Sequence, residues 1–184
     1  MQQNIKDLLQ ELESTRETYW NIPPETGRYL NKLIKDRKYK HILEIGTSNG
    51  YSAIWIAEAL MHNNGTLYTI ESHKKLRFNL AKENIARSGL TNIIQILGHA
   101  PEDIPLTPKY FDMAFFDATK KEHLNFFKTI ENRINLNGMI ITDNILSHQE
   151  VLTPYIEHLK SLPSWKSQIY PLGTGIMVSE KIAN

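Results

Sequence analysis

The sequence predicts an α/β fold: a three-layer α/β/α sandwich around a seven-stranded, mostly parallel sheet. Three observations predict it. Five apolar runs of strand length alternate with helical patterns between His41 and Ser161. A glycine turn, Gly46-x-x-x-Gly50, joins the first of these runs to the helix after it. Two last β-like runs, 166–171 and 174–181, flank a Gly-containing turn and read as an antiparallel hairpin. Strand-helix alternation of this kind implies parallel strands covered by helices on both faces, with right-handed crossovers.

The elements follow in order. Ile5, Leu8, Leu9 and Leu12 recur at helical spacing, so the first 18 residues read as one amphipathic helix. "NIPPETG" breaks it, and Pro24 suits the first turn of a second helix running to about Lys35. "HILEI" is a first strand and 51–61 a helix; "TLYTIE" is a second strand, followed by a helix over 73–88 that closes at Gly89. "NIIQIL" and "FDMAFFDA" are strands three and four, with a helix over 121–133 after the latter. "GMIITD" is the fifth, with a helix over 149–161 behind it.

The 184 residues fit one domain, with helices and a flap in 1–37 and the sheet core in 38–184. Apolar residues make up 41% and charged ones 22%, the balance of a soluble globular protein. Twenty-one basic against 20 acidic residues leave a net charge of +1, no basis for a broad nucleic-acid or membrane surface. No stretch approaches the roughly 20 apolar residues of a membrane helix. The polar, periodic N-terminus is unlike a signal peptide, and a cytoplasmic location is expected. The absence of cysteine excludes disulfides, thiolate zinc sites and a Cys nucleophile.

In a parallel sheet of this type ligands lie beyond the carboxyl ends of the strands, near the point where strand order reverses. The turn Glu44-x-Gly46-x-x-x-Gly50 lacks both the P-loop Gly-Lys-Ser/Thr and the GxGxxG that meets a pyrophosphate. Glu44, at the strand end, would repel a phosphate and suit a sulfonium, which points to S-adenosylmethionine. Thr47, Ser48, Tyr51 and Ser52 belong to the same corner. Glu71, ending the second strand with Ser72 after it, can accept from both ribose hydroxyls. Gly98, His99 and Ala100 put small residues and one ring where an adenine would enter.

Asp117 follows the fourth strand and Asp143-Asn144 the fifth. If these strands are neighbours, two carboxylates and a carboxamide converge, a donor set for a hard octahedral cation such as Mg²⁺, with Mn²⁺ or Ca²⁺ able to substitute.

"LEIGTSNGYSAIWIA", "YTIE", "GHAPEDIP", "FDMAFFDATK", "MIITDN" and "GTGIMVSE" occur in the order found in class I S-adenosylmethionine-dependent O-methyltransferases. The sequence resembles their metal-dependent catechol and caffeoyl-CoA type from about Ile22 to Lys181. The resemblance implies a Rossmann-like fold and methyl transfer to a hydroxyl of a small acceptor. It implies metal ligation by Asp117, Asp143 and Asn144, and a general-base role for Lys120. It also implies a flap formed by Tyr19, Trp20 and Ile22.

Three departures stand out. The long insertion those enzymes carry after Asp-Asn is missing, so the substrate pocket should be shallower on that side. The hairpin turn, Leu172-Gly173-Thr174-Gly175, has no acid before its last glycine, and Thr119 stands where an acid is common. Some bacterial relatives with a similar Asp-Ala-x-Lys stretch methylate a hydroxylated tRNA uridine. Lys74, Lys75, Arg77, Lys120 and Lys121 would have to supply that track. A non-catalytic cofactor-binding module is the alternative from another class. The first helix, with no evident place in the sheet layers, could pack on a second copy as a homodimer.

Overall fold

In the computed structural model, which describes residues 1–183, seven strands form one sheet in the order β3-β2-β1-β4-β5-β7-β6. They are β1 (His41–Ile45), β2 (Thr66–Glu71), β3 (Ile93–Leu97), β4 (Phe111–Phe116), β5 (Ile134–Thr142), β6 (Trp165–Tyr170) and β7 (Ile176–Lys181). β1 to β5 are parallel, and β7 inserts antiparallel between β5 and β6. The fold class read from the sequence is the one observed. Strand order reverses between β1 and β4, so their carboxyl ends diverge into helices on opposite faces and leave a crevice there.

The central strands are buried on both faces because most of their side chains are apolar, while the edge strands β3 and β6 are only partly covered. On one side Ile42, Leu67, Met113, Phe115 and Ile141 pack under α1 (Gln3–Glu13), α3 (Pro24–Arg37) and α4 (Tyr51–Met61). On the other, Leu43, Ile45, Ile70, Phe116 and Ile140 meet α6 (His123–Ile130) and α7 (Gln149–Ser161). The period-two alternation of strand side chains sorts them between the two cores. The remaining helices are α2 (Arg16–Tyr19) and α5 (Asn79–Ser88).

Four expectations change. The first helix is not continuous to residue 18. It stops at Glu13, where the Ser14 and Thr15 hydroxyls donate back to the Glu11 and Leu12 carbonyls, and α2 restarts after the break. The stretch 73–88 opens with a π turn over Lys74–Phe78, in which the Phe78 amide reaches the His73 carbonyl, before α5 begins. The stretch 121–133 is α6 flanked by 3₁₀ turns, and β5 starts four residues early, at Ile134. Finally, the stripe Ile5, Leu8, Leu9 and Leu12 is buried within this chain, and α1 contacts α4 and α5. That stripe therefore supplies no homodimer surface.

No helix among the described residues is long and apolar enough to cross a membrane.

Candidate active site

A cavity of about 450 Å³ opens at the carboxyl ends of the parallel strands, within the range of small-molecule sites. Its floor is the β1 turn. Gly46 has φ +105°, and a Cβ there would lie 2.5 Å from the Asp117 carbonyl oxygen, so β1 and β4 meet only because residue 46 is glycine. The Gly46 and Thr47 amides donate to the Ile70 carbonyl at 3.0 and 3.2 Å, tying the turn to β2.

Glu71 is 5% exposed and faces this cavity. Its Oε2 accepts the Ser48 amide at 2.9 Å and its Oε1 the His73 amide at 2.8 Å. Each carboxylate oxygen has two lone pairs, so both can still accept from a diol. Ser72, Gly98, His99 and Ala100 continue the wall. Gly98 passes so close to Asp103 that a Cβ would sit 2.5 Å from its side chain, and Asp103 in turn accepts the His99 amide at 2.8 Å. His99 itself is exposed, with Nε2 3.5 Å from Glu122 and Nδ1 3.4 Å from Glu102, beyond good hydrogen-bond length.

Asp117 lines the cavity beside Gly46, and Lys120 Nζ donates to its Oδ1 at 2.8 Å. Burial holds the Asp117 carboxyl above the usual carboxylate range. The Lys120 ammonium pulls it down, and the neighbouring Asp143 charge adds to the rise. Asp143 is 1% exposed, its carboxyl also raised by burial, and its Oδ1 accepts the Thr174 hydroxyl at 2.8 Å. Asn144 lines the cavity with φ +62°. β4 and β5 are indeed neighbours, so Asp117, Asp143 and Asn144 sit together. Two acids that raise each other's proton affinity, plus one amide, fit a hard divalent cation that would relieve the repulsion. Among the described residues no cluster of three His, Cys, Asp or Glu exists, so most of a cation's coordination would come from water and substrate.

Several residues expected at the cofactor lie beneath the cavity instead of in its wall. Glu44 is fully buried. Its Oε1 accepts the Ser52 hydroxyl at 2.5 Å and its Oε2 the Thr69 hydroxyl at 2.6 Å, with Thr47 Oγ1 2.6 Å from Thr69 Oγ1. Burial pushes the Glu44 carboxyl up to about 7, against those two hydroxyls, so it is a weaker standing charge for a sulfonium than its position suggested. Tyr51 points into the α1 core and donates to Glu13 at 2.9 Å. Ile22, Thr47, Gly50 and Ser52 are likewise absent from the wall, each taken up by packing, turn geometry or the Glu44 network. Asp143, expected as a metal ligand, is also absent from the wall, and its Oδ1 takes the Thr174 hydroxyl.

Of the three residues expected in a flap, Tyr19 and Trp20 line the cavity and Ile22 is buried in the core. Ser48 Oγ donates to the Tyr19 carbonyl at 2.8 Å. Trp20, left-handed at φ +55° and 71% exposed, stacks under the Arg77 guanidinium at 5.0 Å. Arg77 lines the cavity and makes no ion pair among the described residues.

Sequence reasoning assigned no chemistry to His148, which the wall includes beside Asn144, and did not mention His123. His123 is fully buried between Phe116, Phe126 and Tyr155, with ring centroids 5.7 to 5.8 Å away. Neither of its ring nitrogens has a hydrogen-bond partner among the described residues. The signal for His148 was its place four residues past Asn144; for His123 there was none, since a lone histidine in a helix reads as surface.

The sheet order, the glycine turn at the switch point and Glu71 at the end of β2 define a Rossmann-like fold, with Asp117 and Asn144 on the same cavity. The chain belongs to the O-methyltransferase family, which it matches over residues 2–165. It is 36% identical over 137 residues to a catechol O-methyltransferase of Niastella koreensis, covering 72% of this chain and 61% of that one. It is 29% identical over 153 residues to caffeoyl-CoA O-methyltransferase 2 of Petunia hybrida, covering 77% and 62%. The chain thus spans about three fifths of the length of these curated relatives. Its fold superposes on the Podospora anserina methyltransferase PaMTH1, solved with S-adenosylhomocysteine bound, with a TM-score of 0.87. Identity there is 20%, covering 98% of this chain and 88% of that one.

Proposed function

We propose that this chain is an S-adenosylmethionine-dependent O-methyltransferase that methylates a hydroxyl of a small aromatic or vicinal-oxygen acceptor, assisted by a divalent cation, Mg²⁺ foremost. The observation that carries the reading is the shared cavity. Glu71, with both oxygens oriented by backbone amides, faces it across from Asp117, Lys120 and Asn144. Family membership and the ligands named for its relatives support the same reading.

In this account Glu71 accepts the ribose hydroxyls, Gly98 to Ala100 border the adenine, and the Gly46 turn lets the methionine end approach the backbone. Trp20 and Tyr19 cover the reacting centre and exclude water. Asp117, Asp143 and Asn144 would hold the cation, which when bound lowers the pKa of an acceptor hydroxyl and fixes its orientation. The acceptor oxygen attacks the methyl carbon in line; the carbon-sulfur bond breaks, and its electron pair stays on sulfur. The hydroxyl proton passes to Lys120, which must first exist as the neutral amine and so must leave the ammonium pairing with Asp117. Placing the two reactants in one cavity supplies much of the rate.

Mg²⁺ titrated calorimetrically into protein saturated with S-adenosylhomocysteine tests the metal arm. Binding that disappears in Asp143→Ala is expected. No binding to the native protein, with the cofactor still bound, would sink the metal-assisted mechanism. One observation keeps a hydroxylated tRNA uridine as second reading: exposed Lys74 and Lys75 lie on the same turn as the cavity-lining Arg77. Methyl incorporation into unmodified and hydroxylated anticodon stem-loops separates the two acceptors.

A further inference from the structure

The acceptor end of the cavity shows which group would read the oxygen next to the one methylated. The hairpin turn does not supply it: Thr174 is absent from the wall, and its hydroxyl is committed to Asp143 at 2.8 Å. The segment that follows β5 supplies it instead. Asn144 turns the chain in the left-handed region, and His148, four residues on, lines the same cavity.

This short turn is braced against the hairpin. The Ile145 amide donates to the Gly175 carbonyl at 2.9 Å, and the Leu146 and Ser147 amides to the Thr174 carbonyl at 3.2 Å each. The His148 amide closes the turn on the Asn144 carbonyl at 2.9 Å. Gly175, at φ +88°, packs so tightly on Leu146 that a Cβ has no room. Four hydrogen bonds and one glycine contact thus hold the backbone that carries His148, as a recognition residue requires.

The ring is oriented as well. Ser147 Oγ lies 3.4 Å from the Asn144 carbonyl and 3.0 Å from His148 Nδ1. Whichever of the two carries the shared proton, the 3.0 Å contact engages Nδ1 and leaves Nε2 as the ring nitrogen free to hydrogen-bond a ligand. Nε2 is then a partner for a hydroxyl in a cavity whose neighbouring polar groups, Lys120 and Asn144, differ from it in chemistry.

We propose that His148 is a specificity-determining residue whose Nε2 hydrogen-bonds the acceptor's second hydroxyl, selecting vicinal diols over single hydroxyls. This rests on the methyltransferase reading above. His148 lies on the short connection between Asn144 and the start of α7, so the specificity device belongs to that connection.

The test uses the whole chain labelled with ¹⁵N-histidine and saturated with S-adenosylhomocysteine and Mg²⁺, with catechol and phenol as probes. The His148 ring signals are identified by their loss in His148→Gln. Catechol is expected to move the Nε2 resonance and phenol to leave it in place. His148→Ala is expected to weaken catechol binding about five- to ten-fold, the worth of one hydrogen bond, with S-adenosylhomocysteine affinity unchanged. His148→Gln, which keeps a hydrogen-bonding group on a side chain of similar reach, should hold catechol closer to the native affinity than His148→Ala does. An unmoved Nε2 signal in the catechol complex, native affinity in His148→Ala, or no catechol binding by cofactor-loaded native protein would each overturn the proposal. Failure of the native protein to bind S-adenosylhomocysteine would overturn the methyltransferase reading instead.

Discussion

Glu44→Gln isolates one buried proton. Glu44 is fully inaccessible, and burial, partly offset by the Ser52 and Thr69 hydroxyls, raises its carboxyl from 4.5 to about 7. A rise of that size carries about 3 kcal/mol, at roughly 1.4 kcal/mol for each pH unit. The sign follows from proton counting. Below 4.5 the group is protonated folded and unfolded, and contributes no difference. Between 4.5 and about 7 the folded state holds the proton that the unfolded state has lost, so stability falls as pH rises. Above 7 both states are ionised and the whole penalty is present. Glutamine has the shape of the protonated acid and never ionises, and the Ser52 or Thr69 hydroxyl can rotate to accept from its amide. Urea unfolding of both proteins, followed by circular dichroism from pH 4 to 9, should show near-equal stabilities at pH 4.5. The variant should gain to about 3 kcal/mol by pH 7 and stay level beyond. For a chain of this size that is about 6–12 °C in Tm. Groups that do not act on Glu44 cancel in the difference, and Asp117 and Glu71, the smallest of the causes of its shift, leave a smaller remainder. A difference that is flat between pH 5 and 8, or a variant less stable at pH 8, would refute the reasoning.

Gly46→Ala should destabilise the protein by about 2 kcal/mol or more, from the positive φ and from a Cβ pressed on the Asp117 carbonyl. Since the same contact shapes the cavity floor, S-adenosylhomocysteine affinity, measured calorimetrically, should fall with it. His123→Phe tests a second buried titratable group. Burial pushes His123 down to about 3, with the Lys120 ammonium acting in the same direction, from an unfolded value of 6.5. Its contribution is complete above 6.5 and lost as pH falls from there toward 3. The native protein should therefore lose stability relative to His123→Phe by about 1.4 kcal/mol per pH unit below 6. Parallel stability curves from pH 7 to 4 would contradict this.

How far the sequence could be read depended on whether a signal was local or tertiary. The strands were legible because five apolar runs had no helical alternative of sufficient length, and their order placed Gly46, Glu71, Asp117 and Asn144 on one cavity. The depth of each residue was not legible. Glu44 and Tyr51 occupy positions adjacent to lining residues, yet the strand pleat and the first turn of α4 send their side chains into the core. The π turn at Lys74–Phe78 escaped detection because lysine, leucine and arginine all favour ordinary helix. The contact at its start is tertiary, namely the Glu71 carboxylate that takes the His73 amide. Likewise the stripe on α1 announced a buried face, and only the fold could say that α4 and α5 of this same chain cover it.

The central claim is that this cavity binds an S-adenosyl nucleoside through Glu71. Isothermal titration of S-adenosylhomocysteine into the native protein and into Glu71→Ala tests it most directly. The account predicts saturable binding at one site per chain, weakened at least ten-fold in the variant by loss of two charge-assisted hydrogen bonds. Absence of binding to the folded native protein, or equal affinity in the variant, would contradict it.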